Sequence, residues 1–184
     1  MSNNLCGIDE AGRGCISGPL AIAGCVLQES IKGLADSKSL TPKKREELFG
    51  QITEKSLYKI LLFSHSEVDE KGLSLCLKEA ILAIKEHFKE CEILMDGNCS
   101  FGIKGIKTMI KADAKVTEVS AASILAKVTR DRYMLEMDKL YPQWQFAKHK
   151  GYGSALHVEM IKQFGASPIQ RKSFKIKALE ATLF

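Results

Sequence analysis

Three acidic positions stand where a solvated surface has no need of them. Asp9-Glu10 closes the apolar run Leu5-Cys6-Gly7-Ile8. Asp96 closes Ile93-Leu94-Met95 and is followed by Gly97. Asp113 lies between Ile110-Lys111-Ala112 and Ala114-Lys115. Ligands of open α/β sheets gather at strand ends, so these carboxylates are candidates for one shared site. Four carboxylates drawn together raise one another's pKa unless a cation balances them. Hard divalent ions suit that need, and Mg²⁺ takes a few carboxylates together with water and phosphate oxygens. Two such ions, about 3.5–4 Å apart, can clamp the attacking and leaving oxygens of a phosphodiester displacement. Each position also has a plainer reading: an Asp-Gly turn, a helix cap at Asp113, an exposed strand end at Asp9-Glu10. Spacing alone leaves both readings open.

Gly12-Arg13-Gly14 follows the first acidic pair. Glycines let a backbone approach a ligand closely and leave amide N–H groups free for anions or hydroxyls. An arginine there can fork onto a phosphate. The pattern is short and also makes an ordinary turn, but it gains weight from its place beside Asp9-Glu10.

The elements that must position these groups can be read from periodicity. Leu5 to Ile8 and Leu20 to Leu27 read as strands, the second fully buried. Thr41-Pro42 opens a helix, with threonine as N-cap and proline at the first helical position, continuing over Lys43 to Glu54. Leu57 to Phe63 is β-like. Ser74 to Phe88 is an amphipathic helix carrying Leu75, Leu77, Ala80, Ile81, Ile84 and Phe88 on its apolar face. Glu92 to Met95 is a strand, and Ile103 to Ile110 is predicted as another. Glu118 to about Leu140 is the longest helix, ended by Pro142. A loop through His149 to Gly153 leads to a helix capped by Ser154, and Pro168 begins an irregular basic segment. Early strands with helices between and after them predict one α/β domain over residues 1–184, with a helical C-terminal part.

Composition sets the frame. The 184 residues are 45% hydrophobic and 27% charged, as in an ordinary globular protein. No apolar run approaches the ~20 residues that span a bilayer. The start, Met1-Ser2-Asn3-Asn4, has neither a basic n-region nor a cleavage site, which argues against export. The six cysteines, Cys6, Cys15, Cys25, Cys76, Cys91 and Cys99, form no CxxC pair and are predicted to be reduced thiols in a cytoplasmic protein. Residues 1–100 carry 12 Lys+Arg against 15 Asp+Glu, a net of −3, and residues 101–184 carry 15 against 7, a net of +8, which together make the +5 of the whole chain. A basic half suits phosphate contact, although surplus lysines also make a solvated face.

Taken in order, the motifs resemble a known family. Gly7-Ile8-Asp9-Glu10-Ala11-Gly12-Arg13-Gly14 with Ser17-Gly18-Pro19 is similar to the N-terminal signature of type 2 ribonuclease H, the ribonuclease HII of bacteria. The resemblance runs on through Asp36-Ser37-Lys38, Met95-Asp96-Gly97, Asp113-Ala114-Lys115 and Ala121 to Asp131. It ends with His149-Lys150-Gly151-Tyr152-Gly153 and Ser167 to Phe174. It implies a ribonuclease H-like fold, a five-stranded mixed sheet flanked by helices with a helical C-terminal extension. It implies that Asp9, Glu10, Asp96 and Asp113 are catalytic and hold two Mg²⁺ or Mn²⁺ ions. The implied reaction hydrolyses the RNA strand of RNA/DNA hybrids and cuts 5′ of a ribonucleotide embedded in duplex DNA, leaving 3′-hydroxyl and 5′-phosphate ends. The 2′-hydroxyl would be read by the Gly12-Arg13-Gly14 backbone and by Tyr152, with Lys38, Arg45 and Lys127 as phosphate contacts. A monomer is expected. Because adjacent strand residues point to opposite faces, Asp9 and Glu10 can share a site only where their strand ends.

The sequence departs from the family pattern at Cys15, where proline is usual, at Val116, where serine is common, and at Gln170-Arg171-Lys172, in place of His-Arg-Arg. No carboxylate is lost, so these departures bear on substrate contacts. The tail Glu180-Ala181-Thr182-Leu183-Phe184 resembles peptides that dock on the bacterial sliding clamp; packing on the domain is the competing account. Two other functions compete with the leading one. A resolvase-type DNA nuclease of the ribonuclease H-like superfamily would share the acids but need neither the glycine turn nor Tyr152. A non-catalytic hybrid-binding module would be expected to lack an acid.

Overall fold

The sheet is built around its central strand, β1 (Leu5–Ala11), which carries the first acidic pair. In the computed structural model the described residues are 4–34 and 40–176. Among them, β2 (Leu20–Leu27), β3 (Ser56–Phe63), β4 (Glu92–Asp96) and β5 (Ile106–Met109) complete a sheet of order β3-β2-β1-β4-β5. β1 pairs antiparallel with β2, and β2 with β3, while β1–β4 and β4–β5 are parallel. This is the five-stranded mixed sheet that the resemblance implied.

Among the described residues, α1 (Pro42–Lys55), α2 (His65–Lys71), α3 (Leu73–His87) and α4 (Thr117–Leu140) flank it, and α5 (Phe146–His149) and α6 (Ala155–Phe164) follow in the C-terminal part. Alternation along the strands sorts the core into two layers. Ile8, Leu20, Ile22 and Met95 meet Leu77, Ile81 and Ile84 of α3 on one face. Ala21, Ala23 and Cys25 meet Leu48 and Ile52 of α1 and Ala121, Ala122 and Leu125 of α4 on the other. The second layer is made of small side chains, so α4 lies very close to the sheet. At Gly7 any Cβ would overlap the Glu118 and Val119 backbone. The far end of α4 passes beyond the sheet, and Met134 packs there with Trp144, Phe146, Met160 and Ile169 in a separate C-terminal core. No helix among the described residues is long and apolar enough to cross a membrane.

Several expectations are corrected. The strand predicted over Ile103 to Ile110 is only Ile106–Met109, because Gly102 and Gly105 take positive φ in the turns before it. Helix α2 was not anticipated, although Ser64 and Glu67 form a reciprocal capping box at its start. Leu75, assigned to the apolar face of α3, is 45% exposed. Two residues apart on a helix is about 200° of rotation, so Leu75 and Leu77 cannot both face the core. The stretch after Pro142 holds a 3-10 turn and the short α5 before the loop reaches Gly151. Thr41 caps α1 through the Lys44 N–H, and Ser154 caps α6 through the His157 N–H, as predicted.

The Gly7 contact yields a stability prediction. Gly7→Ala must push α4 off β1 or strain both backbones, and is expected to lower stability by about 1–3 kcal/mol. Urea unfolding would measure it; an unshifted midpoint would mean that the helix and strand have slack between them.

Candidate active site

Asp9 and Asp96 occupy corresponding places on adjacent parallel strands, since Ile8 lies opposite Met95. Asp9 is buried, its Oδ1 accepting the Glu10 N–H at 2.8 Å, with the Ser123 hydroxyl of α4 as a side-chain partner. Asp96 Oδ1 accepts the Ala112 N–H at 2.7 Å. That bond ties the end of β4 to the 3-10 turn Ala112–Ala114, which holds Asp113 at 1% exposure just before α4. Glu10 lies one residue before the end of β1 and faces Arg13 across 3.4 Å. All four predicted acids therefore come to one end of the sheet.

Burial pushes the Asp9 carboxyl up to about 7, with the Glu10 and Asp96 carboxylates adding to the rise against the Ser123 and Glu10 hydrogen bonds. Burial likewise raises Glu10, Asp96 adds to that rise, and Arg13 opposes it. The Glu10 and Asp96 charges thus act on Asp9, and the Asp96 charge on Glu10. As they stand, no three His, Cys, Asp or Glu side chains among the described residues form a group that could hold a metal ion.

A cleft of about 400 Å³ opens beside the acids, lined by Glu10, Gly12, Arg13, Gly14, Arg45, Ser123, Lys127 and Tyr152 among others. The two glycines of the turn serve different ends. Gly12 has φ of 91°, and a Cβ there would run into the Arg130 guanidinium. Gly14 meets nothing within 4 Å, so it leaves its side of the turn open. Tyr152 is 44% exposed, with Lys127 Nζ 5.4 Å and Arg130 Cζ 5.6 Å from its ring centroid. Its hydroxyl is hydrogen-bonded with the Cys15 thiol, and burial, followed by Cys15, raises its pKa. Lys127 pairs with Asp131 at 2.8 Å, and Arg45 donates to the Leu40 carbonyl at 2.5 Å. Lys38 lies outside the described residues.

The sequence did not single out several residues that build this cleft. Ser123 reaches Asp9 from within a run of small apolar residues, where one hydroxyl is the only signal. His157 Nδ1 donates to the Tyr152 carbonyl at 2.9 Å, and its Nε2 is hydrogen-bonded with Ser17 Oγ at 3.2 Å. It stacks on His149 with ring centroids 4.0 Å apart. Burial and the neighbouring His149 lower His157 to about 4, and burial lowers His149, so both rings are neutral supports near pH 7. The segment read as irregular and basic is partly internal. Gln170 donates to the Ile16 carbonyl at 2.8 Å, and Arg171 to the Gly18 carbonyl at 2.9 Å. Burial, followed by nearby Arg130, lowers Arg171 to about 10. The departure at Gln170 thus acts on the turn behind the cleft. Val116, where serine is common, starts α4 with no side-chain cap.

The sequence profile described as Ribonuclease HII matches residues 6–177. The chain belongs to the ribonuclease HII family. A ribonuclease HII of Aliarcobacter butzleri (strain RM4018) is 58% identical over 178 residues, covering 96% of this chain and 93% of that one. Among solved structures, the ribonuclease HII in the PCNA complex from Archaeoglobus fulgidus superposes with a TM-score of 0.81 at 28% identity, covering 94% of this chain and 96% of that one. The ribonuclease H2 from Pyrococcus horikoshii OT3 gives 0.78 at 33% identity, with 94% of each chain covered. As a ribonuclease HII family member the chain is an endoribonuclease, a phosphodiester hydrolase.

The Asp9 shift gives a pH prediction. An unfolded aspartate releases its proton near ~3.9, whereas folded Asp9 keeps it to about 7. Folding therefore takes up a proton between those values, and this contribution favours the fold below pH 4 and is lost as the pH rises to about 7. With metal chelated, Asp9→Asn is expected to be more stable than the parent at pH 8, by at most about 4 kcal/mol, and the gap should close near pH 4. Thermal melts with EDTA at both pH values would show it; an equal gap at both would refute the Asp9 assignment.

Proposed function

We propose that this protein hydrolyses the RNA strand of RNA/DNA hybrids and incises 5′ of single ribonucleotides in duplex DNA, leaving 3′-hydroxyl and 5′-phosphate ends. The observation that carries this reading is one cleft in which the acidic end of β1 meets both the Gly12-Arg13-Gly14 turn and Tyr152. Asp9, Glu10, Asp96 and Asp113 are the proposed ligands of two Mg²⁺ or Mn²⁺ ions. Their all-oxygen donor set suits hard divalent cations, and burial, with neighbouring carboxylates adding to it, raises Asp9 and Glu10, a cost that a bound cation would relieve. When bound, such ions supply water activation and neutralisation of charge at the phosphate.

The chain's own groups do the rest. Ser123 and the Glu10 N–H orient the Asp9 carboxylate. The open side of the turn at Gly14 lets backbone N–H groups approach the sugar, and the Tyr152 hydroxyl joins them in reading the 2′-hydroxyl, the group that distinguishes RNA from DNA. The Tyr152 ring packs against the following sugar. Arg45, Lys127 and Lys38 are proposed phosphate contacts that position the duplex without reading its sequence. The buried free thiols Cys6, Cys15, Cys25 and Cys76 support a reducing, cytoplasmic setting, where embedded ribonucleotides would be removed from DNA. For Glu180–Phe184, which lie outside the described residues, a sliding clamp is a secondary proposal, favoured by the Archaeoglobus fulgidus relative having been solved in complex with PCNA.

The test is incubation with Mg²⁺ or Mn²⁺ and duplex DNA holding one ribonucleotide. A single cut 5′ of the ribonucleotide is expected. No cut rejects the reading in favour of a binding module, and equal cutting of all-DNA duplex rejects it in favour of a DNA nuclease. Asp9→Asn should abolish cleavage while hybrid binding by gel shift persists; undiminished activity would remove Asp9 from the catalytic set. Tyr152→Phe should reduce the preference for the ribonucleotide roughly fivefold, the value of one hydrogen bond near 1 kcal/mol.

A further inference from the structure

We infer that Arg130 is the positioning residue that locks the Gly12-Arg13-Gly14 turn and the Tyr152 loop into one rigid reader of the ribose. The inference rests on the proposed role of those two segments in recognising the 2′-hydroxyl.

Arg130 is fully buried on α4. Its guanidinium donates from all three nitrogens to backbone carbonyls: Nε to Pro19 at 2.9 Å, Nη2 to Ser17 at 3.0 Å and Nη1 to Lys150 at 2.8 Å. Two of those carbonyls belong to the chain leaving the glycine turn, and the third stands two residues before Tyr152. Burying a cation against carbonyls is a costly way to fill a core, and a well-packed apolar side chain would serve stability at least as well. What an apolar side chain cannot do is hold three carbonyls from two distant segments in one plane, which the rigid fork of arginine does.

The surroundings are built to that fork. A Cβ at Gly12 would overlap Arg130 Nε, and one at Gly151 would overlap the Ser17 carbonyl while lying 3.1 Å from Nη2. Only bare backbone lets the turn and the tyrosine loop approach the guanidinium from both sides. The two segments also meet directly, since the Ile16 and Ser17 N–H groups both donate to the Gly151 carbonyl, at 3.0 and 3.3 Å. Above this junction the Tyr152 ring lies 5.6 Å from Arg130 Cζ. Arg130 touches neither the acids nor the open cleft, so its action is through the segments it holds.

The test compares kinetics on duplex DNA with one embedded ribonucleotide for the parent, Arg130→Lys, Tyr152→Ala and the double variant, with a thermal melt of each. Lysine keeps the charge but cannot hold three carbonyls in a plane. Arg130→Lys is expected to lower kcat on the order of 10²-fold, the cost of a misplaced reading group, with KM little changed. Tyr152→Ala should lower kcat in the parent but have almost no further effect in the Arg130→Lys background. If the two losses multiply, or if Arg130→Lys lowers only the melting temperature, Arg130 is merely structural and the inference falls. If Tyr152→Ala has no effect even in the parent, the underlying ribose-reading assignment fails instead. Should Arg130→Lys not fold, Gly151→Ala displaces the same junction from the other side. The Tyr152→Ala effect should then vanish in that background, and its full persistence would overturn the inference.

Discussion

The contact on which the rest depends is the backbone-to-backbone approach of α4 to β1 at Gly7. With no side chain between them, the helix and the central strand are in fixed registry. The residues along one stripe of the helix then fall at fixed places over the sheet end. Ser123, Lys127 and Arg130 follow the three- and four-residue spacing of a single helical face. They reach, in turn, the Asp9 carboxylate, the Tyr152 ring and the carbonyls behind the glycine turn. The small residues Ala21, Ala23, Ala121 and Ala122 extend the same close approach to β2. One helix thus measures out the cleft from the acids to the tyrosine.

Two opposite kinds of internal charge lie along that helix. At the strand end, carboxylates crowd one another, and burial holds the Asp9 proton to about 7. Behind the glycine turn, Arg130 and Arg171 are both fully buried and give their donors to carbonyl oxygens of residues 13 to 19 and 150. Glu10, the acid that lines the cleft, faces Arg13 there. Arg130 is fully satisfied by backbone, Arg171 donates to backbone while its Nη2 has no partner among the described residues, and together they stiffen the turn. The neutral His149–His157 stack completes this support, joining the Tyr152 carbonyl to Ser17 without adding charge.

Much of this was legible from residue order. The bounds of Leu20–Leu27, the Thr41-Pro42 helix start and the Ser154 cap are local features, and local chemistry decides them. Helix α2 was equally open to reading through Ser64 and Glu67 but is too short to show a periodic apolar face. The four acids stood out by their places after apolar runs, yet their convergence depended on the β1–β4 register, which no spacing reveals. Arg130 and Arg171 were the least legible. An arginine in sequence suggests solvent or phosphate, and only the fold shows these two turned inward onto carbonyls that lie more than a hundred residues away.

That distance along the chain has a temporal side. The guanidinium of Arg130 meets residues 17 and 19 on one hand and 150 on the other, and the turn is braced further by Gln170 and Arg171. Contacts so remote in sequence form late in folding, after the loops between them have closed. During vectorial synthesis Asp9, Glu10 and the glycine turn emerge first, Arg130 follows well after them, and Gln170 and Arg171 come with nearly the last stretch of the described residues. The first acidic pair and the glycine turn thus exist in the nascent polypeptide well before the residues that brace the turn.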